Sequence, residues 1–206
     1  MNRIITFILL AFGLLFLSCN DDEKFSTSTV DKLTFSGDII SLDTVFSTIP
    51  SSTKSFWVYN KNNEGIRCNS VRLESGNQTG FIVNVNGLYL NSANGYRAND
   101  VMLYHGDSLR VFVEMTAPVN GQVAPKIISD NLVFELQSGV EQKLKLQAWS
   151  WDATKLSSLH INNDTTIDGG SKPILVFGGI TIATGAVITI AAGTLLYCKS
   201  AAGKRL

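Results

Sequence analysis

The sequence predicts an all-β protein in which a two-sheet sandwich is followed by a coil of short stacked strands. Two observations lead to this prediction. Between residues 32 and 152, short apolar runs alternate with turn signals and no helical period is sustained. Near the C-terminus, an eight-residue pattern repeats. The composition agrees, because charged residues make up only 17% of the chain and 17 residues are glycine.

The N-terminal segment has the features of an export signal. Residues 4–17 form an apolar run of about 14 residues behind Arg3, which suits a signal-peptide core and is short for a membrane span. A small residue followed by cysteine, here Ser18 and Cys19, is what lipoprotein signal peptidase cuts before lipid is attached to the thiol. We therefore expect residues 1–18 to be a lipoprotein signal peptide and Cys19 to be lipidated. A plain secretory leader is the alternative.

Residues 19–31 follow the signal peptide and are expected to form a flexible tether. They are polar, rich in Ser and Thr, and acidic at Asp21, Asp22 and Glu23. Such a segment has little apolar surface to bury, so folding it would not offset the loss of chain entropy.

Eight strands are expected in the sandwich, which we place at residues 32–152. They lie at residues 32–36, 43–46, 54–60, 66–74, 81–85, 108–115, 131–136 and 142–149. In the run 108–115, Leu109, Val111, Val113 and Met115 share one face, while polar residues such as Ser108 share the other. Strands with one buried and one solvated face, packed into about 120 residues, favour two sheets face to face.

The C-terminal part is expected to contain a linker and then a solenoid. Residues 153–172 are polar and predict a linker, and Ile167 stands where a calcium loop would need glycine. Residues 180–187 are followed by the similar units 188–195 and, more loosely, 196–203. Each unit should turn two apolar side chains inward, such as Ile180 and Ile182, with Gly185 or Gly193 at the corner.

About three such units would make one coil, so we expect residues 173–206 to be the start of a parallel β-helix. A three-strand antiparallel meander is the alternative. One coil cannot bury its own apolar face. We therefore expect the protein to be truncated, with further coils missing.

The sandwich segments resemble bacterial immunoglobulin-like domains related to the ciliary and centrosomal type. In those domains a strand ending in Asn, an Ile-led strand, a Gly-Asp-Ser turn and a final Leu-x-Leu strand occur in this order. The matching segments here are residues 56–60, 65–66, 71–73, 81–85, 106–113, 125 and 144–148. The resemblance implies an immunoglobulin-like fold rather than an activity.

Together with the leader and the repeat, the chain resembles surface lipoproteins of Bacteroidota that join this domain to a right-handed parallel β-helix. In that group, acidic residues after the lipidated cysteine accompany export to the cell surface, and residues 21–23 match. The resemblance implies the cell surface, with the periplasmic face of the outer membrane as the alternative.

Several classes of function are disfavoured by the sequence. Lys and Arg number 17, as do Asp and Glu, so no broad basic surface is expected and we predict no nucleic-acid partner. Nucleophile, nucleotide-binding and zinc-protease motifs are missing from the sequence, and its scattered aspartates suit turns. We therefore expect no catalytic residue, no metal, no cofactor and no enzymatic activity in this chain.

The strand-like context of the other two cysteines and of a pair of tryptophans gives expectations for each. Cys68 and Cys198 lie in separate strand-like segments and are expected to be two buried thiols rather than a disulfide. In the last sandwich strand, Trp149 and Trp151 alternate with core residues such as Leu146 and Ala148. They should project from the outer face, where they would stack on a glycan or pack against the first coil.

Three short motifs are candidates for modification. Asp-Thr or Asp-Ser followed by an aliphatic residue or Thr occurs at Thr44, Ser108 and Thr165, and it resembles the acceptor motif for O-glycosylation in exported Bacteroidota proteins. Ordinary turn pairs are the alternative.

The resulting functional expectation is a protein held to the outer membrane through a lipid on Cys19. It would act as a non-catalytic display, adhesion or glycan-contact scaffold with a glycan or protein partner. One alternative is a subunit that docks through the face carrying Trp149 and Trp151. The other is the N-terminal part of a polysaccharide-active β-helix enzyme whose catalytic coils are missing.

Overall fold

The computed structural model describes residues 24–199, and within that range the regular structure is β-strand apart from a 3-10 turn at Ser92–Asn94. The expectation of an all-β chain is confirmed. In chain order the strands are β1 (Thr34–Phe35), β2 (Ile39–Phe46), β3 (Lys54–Tyr59), β4 (Ile66–Leu73), β5 (Phe81–Val85), β6 (Leu88–Tyr89), β7 (Arg97–Leu103), β8 (Ser108–Met115), β9 (Lys126–Leu136), β10 (Glu141–Trp151), β11 (Thr154–Ile161), β12 (Thr165–Ile167), β13 (Ile174–Ile182), β14 (Ile188–Ile190) and β15 (Leu196–Lys199).

The first ten strands form a two-sheet sandwich, as expected. Sheet A has the order β1-β3-β8-β5-β6 and sheet B the order β2-β10-β9-β4-β7. Side chains alternate along each strand because successive residues point to opposite faces. In β8, Leu109, Val111, Val113 and Met115 are buried, and Phe112 is on the outer face. Facing residues from both sheets make one core, in which each fully buried Val or Leu contributes roughly 1.5–3 kcal/mol.

The chain crosses between the two sheets just before strand β2. The chain leaves sheet A after β1 and enters sheet B, where β2 runs parallel to β10 with Ile40 opposite Leu146. The register shifts between Gln147 and Trp149, and Asp43 at this point of β2 has a φ of 58°. At the shift, two residues of β2 lie opposite one residue of β10, which forms a β-bulge and strengthens the local twist of the strands. Sequence patterning detected only the second half of this strand.

Strands β6 and β7 were not predicted. β7 pairs with β4 along sheet B, but Asn99 and Asp100 interrupt its apolar alternation. Asp100 has a φ of 56°, and its Oδ1 accepts a hydrogen bond from Arg67 Nε at 2.5 Å. A turn-forming residue in a left-handed conformation hides a strand from pattern-based prediction.

Residues 24–31 are not a free tether, which corrects the expectation for the described part of 19–31. Phe25 forms a parallel bridge with Gly65, and the Ser26 amide donates to the Gly65 carbonyl at 2.9 Å. Ser26 is buried and its hydroxyl donates to Asp31 at 2.5 Å. Gly65 permits this contact, since a Cβ there would lie 2.9 Å from the Phe25 ring. Cys19 and residues 1–23 lie outside the described residues.

The five C-terminal strands pair in parallel. Strands β11, β13 and β15 form one sheet, in which Ile174 lies opposite Thr154 on one side and Leu196 on the other. Strands β12 and β14 form a second pair, with Ile167 opposite Ile190. These pairings contradict the antiparallel meander. They also correct the expected linker at 153–172, because β11 and β12 lie within it and their polar residues are on the exposed faces.

The two apolar residues of each repeat unit lie on the same strand face, with the second opposite a core residue in the parallel register, but only the first is partly buried. Ile180, Ile188 and Leu196 pack partly against a small core of Ile161, Ile167, Ile174 and Val176. Ile182, Ile190 and Cys198 are exposed, since no strand of residues 24–199 covers them. Gly185 and Gly193 have φ values of 85° and 83° in the turns that follow β13 and β14, where the sequence placed the corners.

Candidate functional site

The junction between the sandwich and the parallel strands is a contact surface with a groove. The rings of Phe46 and Tyr197 meet edge to face, and Lys199 Nζ donates to the Pro50 carbonyl at 3.3 Å. Lys155 Nζ donates to the Thr48 hydroxyl. The groove beside these contacts has a volume of about 240 Å³ and is lined by both parts of the chain. The C-terminal strands therefore contact the sandwich at strand β2 and at the loop that follows it.

Asp152 holds the exit of the sandwich in place. Its Oδ1 and Oδ2 accept the backbone N–H groups of Asn120 and Gly121 at 3.0 and 2.9 Å, and Lys172 Nζ lies 4.0 Å from Oδ2. A hydrogen bond from Ser47, those two N–H groups and the Lys172 charge hold the pKa of Asp152 below its usual value. The carboxylate is therefore ionised and ties the β8–β9 loop to the start of β11.

Trp149 and Trp151 lie on the outer face of sheet B, as strand alternation predicted. Trp149 is 43% exposed and lies beside Thr44 of β2 and Ile127 of β9 in the strand registers. Trp151 is half-buried, and its indole N–H donates to the Val123 carbonyl at 2.7 Å. Trp151 is therefore fixed by the β8–β9 loop, and Trp149 keeps more of its ring open to solvent.

The three candidate O-glycosylation residues are exposed. Thr44 lies next to the bulge in β2, and Ser108 begins β8, where its amide donates to the Asp107 carboxylate at 2.6 Å. Thr165 begins β12 and donates to the Asn163 carbonyl at 2.8 Å. They lie on three different elements and form no common cluster, so any modification would act at each position separately.

The two described cysteines are free thiols in opposite environments. Cys68 is fully buried in the sandwich core, where loss of solvation raises its pKa to about 12. Cys198 is exposed and lines the junction groove. The buried assignment is right for Cys68 and wrong for Cys198, because Cys198 lies opposite the buried Val176 but no residue of the described range covers it. Within residues 24–199, no group of three or more His, Cys, Asp or Glu residues could hold a metal ion.

A second cavity, which the sequence did not indicate, lies on the outer face of sheet A. It has a volume of about 370 Å³ and is lined chiefly by Ile82, Asn84, Tyr89, Phe112 and Glu114. These residues come from β5, β6 and β8, so sequence spacing does not group them. The only sequence signal was the alternation of β8, which places Arg110, Phe112 and Glu114 on the solvent side.

Comparisons with known proteins give structural neighbours and no family. No family model matches the sequence, and no curated protein does. A protein of unknown function from Porphyromonas gingivalis W83 is similar, with a TM-score of 0.41 and 12% identity over 64% of this chain and 60% of that chain. The seventh ASH/PapD-like domain of human CEP192 gives a TM-score of 0.38 and 10% identity, over 66% of this chain and 96% of that chain.

The YadV chaperone is similar at a TM-score of 0.34 and 12% identity, over 57% of this chain and 50% of that chain. The chain thus spans less than two thirds of the Porphyromonas structure and half of the chaperone. Of these three neighbours, the CEP192 domain is PapD-like. The sandwich described here rests on the strand order of this chain. No helix in the described range has the length and apolar character to cross a membrane.

Proposed function

We propose that this protein is a lipid-anchored, non-catalytic display scaffold of the cell envelope, located at the outer surface of the outer membrane. Its sandwich acts as a spacer. Its parallel strands begin a right-handed parallel β-helix that presents a binding surface to a glycan or a protein. The anchor is an acyl group on Cys19.

One structural observation carries the spacer role: the two attachments are at opposite ends of the sandwich. The N-terminal residues Phe25 and Ser26 dock at Gly65, in the turn that follows the end of β3. The C-terminal strands contact the sandwich at Thr48 and Pro50, just before β3 begins. The six residues of β3 alone span roughly 20 Å. An anchor at one end therefore holds the C-terminal strands away from the membrane.

The pairing of the C-terminal strands supports the β-helix part of the proposal. In a parallel β-helix, each coil hydrogen bonds to the next in parallel register and neighbouring faces are separated by sharp corners. The parallel sets β11-β13-β15 and β12-β14, with glycines of positive φ between faces, have this arrangement. Within each unit the two apolar side chains share one strand face, and the second lies opposite Ile161, Ile167 or Val176 of the small core, as stacking of coils requires.

The glycan or protein partner would contact the outer face of sheet B around Trp149 and Trp151. Trp149 offers an exposed aromatic ring beside Thr44, so a glycan added at Thr44 would lie next to it.

Thr44, Ser108 and Thr165 are proposed O-glycosylation sites, since these residues are exposed and their hydroxyls are open to a transferase. Mass spectrometry of peptides from the native protein tests this, with Asp43→Asn, Asp107→Asn and Asp164→Asn expected to remove modification from the following residue.

The anchor is tested by metabolic labelling of cells with an alkyne fatty acid. The full chain should incorporate the label, and Cys19→Ser should lose it. Cys198→Ser is the matched control, because it removes an exposed thiol without touching the leader, and it should be labelled like the parent. Equal labelling of the Cys19→Ser variant and the parent would exclude the anchor.

The location is tested with a membrane-impermeant maleimide, which uses Cys198 as a reporter at the far end of the spacer. Intact cells should be labelled if the protein faces outward, and Cys198→Ser should abolish the signal. Labelling only after the outer membrane is permeabilised would instead place the protein on the periplasmic face.

A second candidate function is a polysaccharide-active enzyme whose catalytic residues lie on additional coils. The parallel register of β11, β13 and β15 favours it, because a β-helix presents side chains in stacked rows along one face. The gene sequence downstream of the Leu206 codon tests this candidate. Further coils with Asp, Lys or Arg stacked on one face would favour an enzyme, and an immediate stop codon would exclude it.

A further inference from the structure

The outer face of sheet A carries an aromatic platform. Trp57 of β3 lies opposite Arg110 of β8, and the Arg110 guanidinium carbon is 5.5 Å from the Trp57 ring centroid and 5.1 Å from that of Phe112. Arg110 Nε and its terminal nitrogen also donate to the Ser55 hydroxyl at 3.1 and 2.9 Å. The guanidinium is thus committed to its neighbours and holds Phe112 as part of a fixed surface.

Beside this platform lies the cavity of about 370 Å³, in which two aromatic rings adjoin polar groups. Across the sheet, Phe112 is opposite Asn84 and Asn84 is opposite Tyr89, so the amide lies between the two rings in the strand register. Phe112 is 38% exposed and Tyr89 is 52% exposed. Ligand sites are typically concave, partly aromatic and fitted with a few polar groups, and this volume lies at the small end of their range.

The polar groups of the cavity are oriented by hydrogen bonds that leave capacity for a ligand. Among the described residues, Thr53 alone is hydrogen-bonded to the Glu114 side chain, through Oε1 at 2.5 Å, which leaves Oε2 as an acceptor. Asn84 Oδ1 accepts the Gly87 amide at 2.9 Å in the β5–β6 turn, which leaves its Nδ2 group as a donor. The cavity therefore offers one strong acceptor and one amide donor next to two aromatic rings.

We propose that this cavity, which we call the sheet A cleft, binds one or two rings of a neutral saccharide. A sugar ring has an apolar face of C–H groups, which packs on the negative face of an aromatic ring, and hydroxyls at its edge that donate and accept hydrogen bonds. Phe112 and Tyr89 match the apolar face, and Glu114 and Asn84 match the hydroxyls.

Charge selects the class of saccharide. Glu114 is the one formally charged residue among those that line the cleft. Arg110, the nearest cation on this face in the register of β8, is stacked between two rings and bonded to Ser55. A uronate or a phosphate in the cleft would place a second negative charge beside the carboxylate without a free cation to offset it. Neutral sugars are therefore favoured over anionic ones.

The backbone disfavours an extended peptide as the occupant. Strands β5 and β8 are paired on both sides beneath the cleft, so their main-chain groups are used inside the sheet, and the edge strand β6 has only two residues. A peptide binding by strand addition needs a free edge, whereas the cleft lies on the face of the sheet. Recognition there has to be made by side chains, which suits a ligand rich in hydroxyl groups.

The inference goes beyond the proposed function, because it adds a saccharide site on sheet A to the partner contact proposed for sheet B. The test uses the detergent-solubilised full chain on an array of neutral and uronate-containing oligosaccharides. Isothermal titration with the strongest neutral compound then gives the affinity. We expect saturable binding of at least one neutral oligosaccharide, weakened about tenfold or more, which is about 1.4 kcal/mol, by Phe112→Ala, Tyr89→Ala and Glu114→Gln.

Two variants serve as controls. Tyr104→Ala removes an aromatic ring of nearly equal exposure, 49%, that lies outside the cleft, and it should bind like the parent. Phe112→Trp keeps an aromatic face and should retain binding. Thermal unfolding of every variant identifies any that fail to fold.

The inference is overturned by three results: no neutral compound binds, binding survives all three cleft substitutions, or uronate compounds bind as tightly as neutral ones. Because these measurements use purified protein, they do not depend on the anchor. Loss of fatty-acid labelling in the parent would remove the envelope role and leave the cleft standing.

Discussion

The ring of Phe46, the last residue of β2, packs edge to face against the ring of Tyr197 in β15, with the ring centroids 5.0 Å apart and the planes at 66°. Tyr197 therefore links the last described strand to the sandwich. Leu175, next to Tyr197 in the parallel register, is buried and lines the same groove. This contact couples the two parts of the chain.

The coupling is measurable in a double-mutant cycle. Phe46→Ala and Tyr197→Ala should each destabilise the junction, and the double variant should lose less than the sum of the two. We expect a coupling free energy of about 0.5–1.5 kcal/mol, the usual value for an aromatic pair of this geometry. Urea unfolding of the four proteins measures it. Additive effects within about 0.3 kcal/mol would show that the rings do not interact.

Asp152→Asn should destabilise the protein in a pH-dependent way. The carboxylate has a lowered pKa in the folded state, so its contribution is present above the unfolded value of about 3.9 and is lost as the pH falls through the folded-state pKa. At pH 7 we expect a loss of about 1–3 kcal/mol, because an amide cannot replace a carboxylate that accepts two N–H groups.

The pH profile distinguishes this effect from a packing defect. The difference between the parent and Asp152→Asn should shrink as the pH is lowered below about 4, because the carboxylate of the unfolded parent binds a proton there while the folded carboxylate is still ionised. Asp38→Asn is the control, because Asp38 is exposed. Urea unfolding at pH 7 and pH 3 measures both variants, and a difference of equal size at the two pH values would contradict the prediction.

Asn60→Ala should be among the most destabilising polar substitutions in the sandwich. The buried Asn60 Nδ2 donates to the carbonyls of Glu64, Leu103 and Tyr104 at 2.8, 3.1 and 3.1 Å, and its Oδ1 accepts the Asn62 amide at 3.0 Å. Removing it takes a hydrogen bond from each of these groups, although the Tyr104 carbonyl still accepts the Asp107 amide, and we expect a cost of about 2–4 kcal/mol.

Thermal or urea unfolding checks the Asn60 prediction. Asn69→Ala in β4 is the matched control, since Asn69 is exposed and its loss should change stability by no more than about 0.5 kcal/mol. Equal stabilities for the two variants would mean that the Asn60 hydrogen bonds contribute little beyond those that water would supply.

The two described thiols should react at very different rates with iodoacetamide at pH 8. Cys198 is exposed and should be alkylated in the native protein, whereas Cys68 is buried with a pKa of about 12 and should react only after unfolding. Peptide mapping after short and long exposure identifies each modified residue, and Cys198→Ser gives the background. Rapid alkylation of Cys68 without denaturant would show that the core opens locally.

Parts of the fold could be predicted because they depend on local alternation. The outward positions of Trp149 and Trp151 and the buried face of β8 follow from a two-residue period, which records burial directly. By contrast, β7 was missed because Asn99 and Asp100 look like a turn. The docking of Phe25 on Gly65 was missed because a single aromatic residue in a polar segment carries no period.

The sheet A cleft likewise combines residues that local alternation identifies with residues that only long-range strand pairing brings together. The alternation of β8 placed Phe112 and Glu114 on one face, but Asn84 and Tyr89 join them only through the pairing of β8 with β5 and of β5 with β6. That pairing is a long-range contact, and sequence spacing does not encode it.

The sequence by itself therefore determined that the chain is all-β, where most sandwich strands lie and which side chains of β8 and β10 face solvent. The tertiary structure decided between the expected parallel strands and the antiparallel meander. It alone showed that β11 joins the parallel sheet, that Cys198 is exposed, and that residues 24–31 and 154–167 are packed instead of free. The physical reason is that an apolar period reports that a residue is buried, whereas its direction and partners depend on which distant strand covers it.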